Sequence, residues 1–336
     1  MRDTLWLLNC TMDQSPSATP RVCVVGSLNM DLVIRTPRIP LAGETILGGG
    51  YRTYAGGKGA NQAVAAARLG AEVSLIGCVG LDQHALKVRE ALEREKLDIS
   101  GVDTRAQAAT GLALITVAEG GENAIVVAPG ANAEVSVELI EQHRGKIEMA
   151  DVLLMQLEIP NAAVIAAAKI AKGSGRAVIL NAAPARVLPA DLLKLIDVLV
   201  VNKSEAARIM GLDANLDPAR LALRLPDMGP PTALLTLGAH GAILAHKGRP
   251  RRVPPAAVKS IDAVGAGDAF CGALATWWAG VHEAIRKRDP NEFRLVEEAA
   301  IAASVAGSLA TTKHGAIPSM PERSEVIAAM SGLKCS

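Results

Sequence analysis

Aromatic residues are scarce in this chain, since phenylalanine, tyrosine and tryptophan make up 2% of its 336 residues. Proteins that bind single-stranded nucleic acid stack the bases on aromatic side chains, so this scarcity argues against such a partner. An excess of one charge is also missing, because 35 basic and 34 acidic residues leave a formal net charge of +1. The basic residues are scattered along the chain, so nucleic acid and anionic membranes would meet no concentrated positive charge. We expect neither as a partner.

Paired cysteines and long hydrophobic runs are missing as well. The five cysteines show no CxxC spacing and most lie in apolar runs, which predicts reduced, buried thiols and a cytoplasmic protein. No uninterrupted apolar stretch approaches the roughly 20 residues of a membrane-spanning helix. The six histidines are dispersed and no HExxH occurs, so the sequence does not predict a zinc site.

Hydrophobic residues are abundant, at 50% of the chain, which is enough to bury one large core. Short β-branched runs alternate with alanine-rich stretches that predict helices. Continuous apolar strands of this kind are buried on both faces, which is typical of a parallel sheet flanked by helices. The predicted fold class is therefore α/β, with a parallel sheet in a three-layer core. Strands are predicted at Arg21–Val25, Glu72–Cys78, Asp151–Leu157, Arg176–Leu180, Asp197–Val201 and Thr232–Leu237.

Two stretches break this alternation and predict a small antiparallel β lid. Residues 29–56 and 100–127 alternate apolar with polar residues, and Glu119-Gly-Gly-Glu122 is a hairpin signal. No helix is predicted between the strands of these stretches. We expect residues 20–330 to form a single domain that carries this lid. Residues 1–19 end in a polar, proline-bearing stretch and are expected to be a disordered extension.

Polar and glycine residues collect where the predicted strands end. The first strand runs into Gly26-Ser-Leu-Asn29-Met-Asp31, and the strand at Asp151–Leu157 runs into Glu158. Two later strands run into Asn202-Lys-Ser-Glu205 and Gly238-Ala-His-Gly241. One such end alone would be an ordinary turn or helix cap. Four of them predict a ligand site, because ligands of open α/β sheets bind at the carboxyl ends of the strands.

Two glycine clusters each precede a predicted helix, Gly56-Gly-Lys-Gly59 and Gly265-Ala-Gly-Asp268. Glycines at a helix N-terminus let backbone N–H groups approach an anion, and the helix dipole adds to the attraction. Neither cluster is a dinucleotide or P-loop fingerprint. The last glycine of GxGxxG is replaced by Phe270, and Lys58 is followed by glycine instead of serine or threonine.

Asp268 has two interpretations. As a carboxylate in the first turn of a helix it would stabilise the helix dipole by a few tenths to about 1 kcal/mol. As a general base beside an anion-binding turn it would accept the proton of a hydroxyl group. The preceding Gly-Ala-Gly favours the base, because it places N–H donors where negative charge develops during phosphoryl transfer.

Tyr54-Ala-Gly-Gly-Lys-Gly-Ala-Asn-Gln-Ala63 and Asp262-Ala-Val-Gly-Ala-Gly-Asp-Ala-Phe270 resemble the two signatures of the PfkB-type carbohydrate kinases, and in particular of their ribokinase branch. The resemblance extends over Arg21 to Glu325. Five further segments agree in order and spacing, namely Gly26–Asp31, Met155–Glu158, Asn181–Ala185, Asn202–Glu205 and Thr236–Gly238. The resemblance implies a ribokinase-like fold and ATP-dependent phosphorylation of D-ribose at its primary 5-hydroxyl, giving ribose 5-phosphate and ADP.

Alternatives within the same family are a deoxyribokinase, a fructokinase, a keto-sugar acid kinase and an adenosine kinase. A non-catalytic sugar sensor on the same scaffold is a further alternative, although it would have no need to retain Asp268. A dinucleotide oxidoreductase is disfavoured, because no glycine fingerprint follows the first strand.

The resemblance also implies roles for individual residues. Asp268 would be the catalytic base, beside an anion hole formed by Gly265, Ala266 and Gly267. The sugar would be held by Asn29, Asp31, Gly57, Lys58, Asn61, Glu158 and Asp268. The ATP site would contain Asn202, Glu205, Thr236, Gly238, Gly241, Gly267 and Ser304.

Two metal ions and an assembly follow from the same resemblance. Glu205 would organise Mg²⁺ bound to the phosphates. A K⁺ ion beside the anion hole would be held, largely through backbone oxygens, by Asp262, Val264, Ala310, Lys313, Gly315 and Ser319. The chain would form a homodimer through its lid.

Three residues depart from the family pattern. Ala263 replaces a threonine, Lys203 stands where an acidic residue is common, and Ser304 stands where histidine or asparagine often meets the adenine. The charged stretch Val281–Glu292 is longer than the pattern requires, and we expect it to be a solvated loop.

Overall fold

The computed structural model describes residues 19–120, 122–213 and 215–333. The predicted extension at residues 1–19, except for its last residue, lies outside the described residues.

The strands are β1 Arg21–Val25, β2 Asn29–Thr36, β3 Tyr51–Gly56, β4 Glu72–Gly80, β5 Asp98–Arg105, β6 Gly111–Ala118, β7 Asn123–Ala128, β8 Val152–Met155, β9 Ala177–Asn181, β10 Val198–Asn202, β11 Thr232–Thr236, β12 Ala242–His246 and β13 Arg249–Val253. The helices are α1 Lys58–Arg68, α2 Gln83–Arg94, α3 Val137–Gln142, α4 Arg144–Met149, α5 Asn161–Gly173, α6 Ala190–Leu193, α7 Lys203–Met210, α8 Pro218–Arg224, α9 Ala266–Lys287, α10 Glu292–Ala310 and α11 Arg323–Leu333.

The main sheet has nine strands in the order β13-β12-β11-β10-β9-β8-β1-β4-β5. The seven strands from β11 to β5 are parallel, which confirms the predicted α/β class. One edge departs from the predicted alternation of strands and helices, which would place a helix after β11. Strand β11 is followed instead by β12 and β13, which pair antiparallel and close that edge of the sheet.

Helices cover both faces of the main sheet, so the protein has three layers. Side chains alternate along each strand, and in β1 Val22 and Val24 face one core while Cys23 and Val25 face the other. Helices α1, α2, α9, α10 and α11 bury their apolar sides in the first core, and α3 to α8 bury theirs in the second. Both faces of the central strands are therefore dry, as their continuous apolar sequences predict.

The lid is a separate four-stranded sheet in the order β3-β2-β6-β7. It differs from the prediction in two respects. Strands β2 and β6 pair in parallel, so the lid sheet is mixed. Strand β5, expected in the lid, pairs with β4 in the main sheet, so the second half of the lid begins at Gly111. The predicted hairpin is present as the antiparallel pair β6–β7 on either side of residues 119–122.

The stretch Val281–Glu292, expected to be a solvated loop, is mostly helical. Helix α9 continues to Lys287, and Val281 and Ala284 are buried. The prediction was wrong because a run of charges was taken as a loop. The charges lie on the solvent side of an amphipathic helix, where Glu283 pairs with Lys287.

The cysteines that the structure describes, Cys23, Cys78 and Cys271, are free and buried, as expected. Cys10 and Cys335 lie outside the described residues. Within the described ranges, no helix combines the length and the apolar character needed to cross a membrane.

Candidate active site

The site lies where the order of the main sheet reverses. The chain passes from β1 to β4 on one side and later returns through β8 on the other, so loops leave the carboxyl end of β1 in opposite directions. The ends of β1, β8, β9, β10 and β11 open into a cleft of about 300 Å³. The cleft brings together thirteen of the residues predicted from the sequence: Asn29, Asp31, Gly57, Lys58, Asn61, Glu158, Asn202, Glu205, Thr236, Val264, Gly265, Gly267 and Asp268.

The lid contributes an apolar wall to this cleft. Alternate residues of β6 and β7 face it, namely Ala113, Ile115, Ile125 and Val127. Strand β2 belongs to the same sheet and presents Asn29 and Asp31, which are one residue apart and so lie on the same face of the strand. The cleft therefore has polar groups for a polyhydroxylated molecule and an apolar cover that limits the access of water.

Asn29 is held in place by a second buried asparagine. The Nδ2 group of Asn132 donates to Asn29 Oδ1 at 2.7 Å, and the backbone N–H of Leu28 donates to Asn132 Oδ1 at 2.8 Å. Because Asn29 accepts with its oxygen, its amide NH₂ is left as a donor to a ligand. Asn132 was not predicted from the sequence, since it lies about 100 residues away in the loop after β7.

Glu158 is anchored to the loop after β1 and to the start of α1. Its Oε2 atom accepts from the hydroxyl of Ser27 at 2.5 Å and from the backbone N–H of Lys58 at 3.3 Å. The same serine hydroxyl accepts from the backbone N–H of Gly59 at 3.4 Å. The carboxylate is therefore fixed in direction while it lines the cleft.

Negative charge dominates the cleft. Among the described residues that line it are four carboxylates, those of Asp31, Glu158, Glu205 and Asp268, and one lysine, Lys58. Burial lowers the pKa of Lys58, but attraction to Asp268, Glu158 and Glu205 outweighs it, so the pKa is raised and the ammonium stays charged. The lysine thus offsets part of the repulsion among the carboxylates.

The surroundings of Asp31 disfavour the charged form of its carboxyl group. Burial, followed by repulsion from Glu158 and Asp268, raises the pKa of Asp31 to about 7, against a smaller opposing effect of Lys58. Burial also raises the pKa of Glu205, in part opposed by the hydrogen bond from the Asn202 backbone and by Lys58. A buried carboxylate whose charged form is disfavoured is stabilised by a ligand that donates hydrogen bonds or carries positive charge.

Asp268 lies in the first turn of α9 and is 7% exposed. Its Oδ2 atom accepts from Asn61 Nδ2, and its Oδ1 atom accepts from Gln62 Nε2, both at 2.9 Å. Two neutral amides therefore hold the carboxylate without neutralising it, and its remaining lone pairs are available to a hydroxyl in the cleft.

The turn before Asp268, which the sequence predicts as an anion hole, is open toward the cleft. Gly265 is the N-cap of α9 with φ 80°, a left-handed conformation in which residues with a side chain are strained. A Cβ atom at Gly267 would meet nothing within 4 Å, so the helix start is open toward the cleft. Gly265 and Gly267 line the cleft, whereas Ala266 does not, and its N–H donates to Ala263 O at 3.3 Å.

A second cavity of about 770 Å³ adjoins the cleft, and Asn202 and Thr236 line both. Gly238 lines the second cavity, together with the apolar residues Leu237 and Ile243. Two residues predicted for the nucleotide site line neither cavity. Gly241 follows the turn after β11, and Ser304 is buried in α10, where its hydroxyl donates to Pro254 O at 2.8 Å.

The predicted cation site consists of two loops joined by one carboxylate. Asp262 accepts from the backbone N–H groups of Val264 and Gly315, each at 3.0 Å, and Thr311 O accepts from the N–H of Asp262 at 3.1 Å. The side chain of Lys313 pairs with Glu325, so a role at the loop would fall to its backbone carbonyl.

Of the other predicted cation-site residues, Ala310 ends α10, and the Ser319 hydroxyl donates to Ala316 O at 2.8 Å. In the described ranges, no cluster of three His, Cys, Asp or Glu residues could hold a metal ion. Backbone oxygens with a single carboxylate fit a monovalent cation better than a transition metal.

The sequence of this chain matches the family described as pfkB family carbohydrate kinase over residues 19–323. A ribokinase from Haemophilus influenzae is 39% identical over 306 residues, which cover 90% of this chain and 96% of that protein. The structure of ribokinase from Giardia lamblia has a TM-score of 0.84 at 28% identity and covers 94% of this chain and 100% of that one. The structure of Arabidopsis thaliana ribokinase complexed with ribose and ATP has a TM-score of 0.80 at 32% identity, covering 93% and 99%.

Proposed function

This chain belongs to the pfkB family of carbohydrate kinases, and we propose that it transfers the γ-phosphate of ATP to the primary 5-hydroxyl of D-ribose, giving ribose 5-phosphate and ADP. The observation that carries this proposal is the placement of Asp268, a buried carboxylate in the first turn of α9 beside the open turn Gly265–Gly267. The similarity to a ribokinase complexed with ribose and ATP supports ribose as the acceptor.

Asp268 would accept the proton of the sugar hydroxyl as its oxygen attacks the γ-phosphorus. The O–P bond to ribose forms, the bond between the γ-phosphorus and the β–γ bridging oxygen breaks, and ADP leaves with that bond's electron pair. The backbone N–H groups of Gly265 and Gly267, which line the cleft, would bind the charge that develops on the transferred phosphoryl group. Asn29, Asp31 and the other polar residues of the cleft would hold the ring hydroxyls.

We propose Mg²⁺ as a cofactor that Glu205 helps to organise. The fit is chemical, because Mg²⁺ is usually bound by one or two carboxylates together with phosphate oxygens and water. A cleft lined by four carboxylates would repel the phosphates of ATP unless cations accompanied them. The ion would supply positive charge against the phosphate oxygens. The Asn202–Glu205 capping box, with two contacts of 2.8 Å, fixes the position of the Glu205 side chain.

The proposed function is tested by measuring ADP release with a panel of pentoses, hexoses and nucleosides at fixed ATP and Mg²⁺. We expect D-ribose to give the highest kcat/KM. A higher value for deoxyribose, fructose or adenosine would replace ribose with that acceptor. Absence of ADP release with every member, together with sugar binding detected by calorimetry, would favour the sugar sensor.

We propose that K⁺ activates the enzyme from the two loops joined by Asp262. A cation there would hold the loop that leads into Gly265 and would add positive potential near the transferred phosphate. We expect turnover to rise when Na⁺ or tetramethylammonium is replaced by K⁺ at constant ionic strength. Asp262→Asn, which removes the charge between the loops, should reduce this activation. Equal rates in all three salts would contradict the proposal.

We propose that the protein is a homodimer joined through its lid. The register places Leu32, Leu114 and Val126 in one row across β2, β6 and β7, on the face opposite the cleft. Leu114 and Val126 are 47% and 67% exposed, and a small sheet with an uncovered apolar face is marginal in water. A second copy of the same face would cover this row.

Sedimentation at micromolar concentration should therefore give about twice the chain mass of 34.8 kDa. Val126→Lys should shift the equilibrium toward the monomer, because a charge would enter the apolar row. Met149→Lys, at an exposed position on α4, is the matched control and should leave the dimer intact. A 35 kDa species alone for the unaltered protein would contradict the proposal.

We also propose that residues 20–330 act as one kinase domain in the cytoplasm. Free buried thiols at Cys23, Cys78 and Cys271 are compatible with a reducing compartment. Cell fractionation with an antibody to the chain would test the location, and recovery in a membrane or secreted fraction would contradict it.

A further inference from the structure

Asp268 is backed by a chain of buried side-chain amides that ends at a backbone carbonyl. Gln156 Nε2 donates to Gln62 Oε1 at 2.7 Å, and Gln62 Nε2 donates to Asp268 Oδ1 at 2.9 Å and to Asn181 Oδ1 at 3.2 Å. Asn181 Nδ2 in turn donates to Val200 O at 3.3 Å. Gln62 and Gln156 are both 0% exposed. We name Asn181, Gln62 and Gln156 the amide chain.

The carbonyl of Val200 sets the direction of every bond in the amide chain. A carbonyl oxygen can only accept, so Asn181 turns its NH₂ group toward Val200 and its oxygen toward Gln62. Gln62 must then present its NH₂ group to both Asn181 and Asp268. Its own oxygen is left to face the NH₂ group of Gln156. If the Gln62 amide were reversed, its oxygen would face the oxygens of Asn181 and Asp268, and its NH₂ group would face the NH₂ group of Gln156.

The arrangement leaves one buried oxygen, that of Gln156, without a donor. Its Oε1 atom has no hydrogen-bond partner in the part of the chain that the structure describes, although it is buried. The same atom lies so close to Gly26 that a Cβ atom there would be 2.0 Å from it. Turning the amide over would place the oxygen of Gln156 against the oxygen of Gln62, so both oxygens would lack a donor. The NH₂ group would then lie against Gly26 in place of the oxygen. A buried unpaired acceptor is unfavourable, so the direction of the Gln156 amide is set by its partner.

We propose that Gln62 is a positioning residue that holds the carboxylate of Asp268, and that Gln156 stabilises the orientation in which Gln62 donates by pairing with its oxygen. The proposal rests on the proposed function, in which Asp268 is the base. With Gln62 on Oδ1 and Asn61 on Oδ2, the carboxylate cannot rotate, and it presents its free lone pairs to the attacking hydroxyl. Gln156 does not itself contact Asp268 within hydrogen-bond distance, so its influence passes through Gln62.

The test uses Gln156→Glu, which replaces the donor to Gln62 by a carboxylate. The new carboxylate faces the oxygen of Gln62 and adds negative charge one side chain away from Asp268. Negative charge near Asp268 favours its protonated form, so the acid limb of the pH–kcat profile should move to higher pH by up to about one unit. Gln62→Glu places a carboxyl group directly against Asp268, and its acid limb should move further in the same direction. Apparent affinity for ATP should change little in either variant.

Gln142→Glu makes the same chemical change at an exposed position on α3, and its acid limb should coincide with that of the unaltered protein. Thermal unfolding and circular dichroism establish that each variant is folded. Gln156→Met removes the donor without adding charge, and it serves as the second variant if Gln156→Glu does not fold. It should lower kcat about tenfold at all pH values, because a loosened carboxylate is less often correctly placed. An acid limb unchanged in Gln62→Glu and a kcat unchanged in Gln156→Met would overturn the proposal.

The profiles are recorded with whichever acceptor the unaltered protein phosphorylates fastest. Preference for an acceptor other than ribose would contradict the assigned substrate and would leave the expected order of acid limbs unchanged. Normal ribose phosphorylation combined with coincident acid limbs would contradict the role of Gln62 alone.

Discussion

Asp268→Asn is expected to lower kcat by about 10²–10⁴-fold, the range typical of the loss of a general base. The 5-hydroxyl is not ionised at neutral pH, so its proton needs an acceptor while the bond to phosphorus forms. Asparagine keeps the size of the side chain but has no negative charge and one acceptor oxygen fewer. Of the two donors that hold Asp268, Asn61 and Gln62, one would face the new NH₂ group.

The affinity for ATP should change little, since the backbone donors at Gly265 and Gly267 remain. Steady-state and single-turnover kinetics at saturating ribose would measure the effect. Asp191→Asn is the matched control, because that carboxylate is 90% exposed and should tolerate the change. A nearly normal kcat with only a raised KM for ribose would make Asp268 a binding residue.

Asp31→Asn is expected to stabilise the free protein at high pH and to impair sugar binding. Burial and two neighbouring carboxylates raise the pKa of Asp31 from 3.8 to about 7. Because the folded pKa lies above the unfolded one, the favourable contribution of the protonated group is present below pH 4 and is lost as pH rises through 7. At pH 8 the ionised carboxylate therefore costs up to about 4 kcal/mol of folding free energy.

The asparagine variant avoids this cost, so its melting temperature should exceed that of the unaltered protein at pH 8, and the difference should shrink at pH 5. The KM for ribose should rise about 10–100-fold, since a hydrogen bond to a charged partner is worth roughly 1.5–3 kcal/mol. Thermal unfolding at both pH values and initial rates would measure the two effects, with Asp191→Asn again as the control. Equal stabilisation at pH 5 and pH 8, or an unchanged KM, would contradict this role.

Much of the fold could be predicted because its signals are local. Strand β1 was predicted with the bounds that the structure has, since Arg21–Val25 is a short β-branched run bounded by glycine. The start of α2 is a local signal of the same kind, because the side chain of Asp82 caps it by accepting from the Ala85 backbone at 2.8 Å. Strand β5 was assigned to the wrong sheet because alternating polarity suits both an edge strand of the main sheet and a lid strand. The choice depends on pairing with β4, a long-range contact.

The polar side chains that line the cleft were also predictable, because their positions at strand ends and helix starts are local features. The residues that hold them were not. Gln62 is next to Asn61 in α1 and reads as one more polar residue of a helix. Its partners Gln156 and Asp268 are 94 and 206 residues away, so only the tertiary structure brings them together. Asn132, which fixes Asn29, was missed for the same reason.

Phosphorylation of ribose at its 5-hydroxyl is tested most directly by the position of the new phosphate in the product. We would incubate the protein with ATP, Mg²⁺ and D-ribose and assign the product by its phosphorus–proton couplings in NMR, with 5-deoxyribose in a parallel reaction. We expect ribose 5-phosphate and ADP in equal amounts, and no sugar phosphate from 5-deoxyribose. Phosphate on any other hydroxyl, or phosphorylation of 5-deoxyribose at a comparable rate, would contradict it.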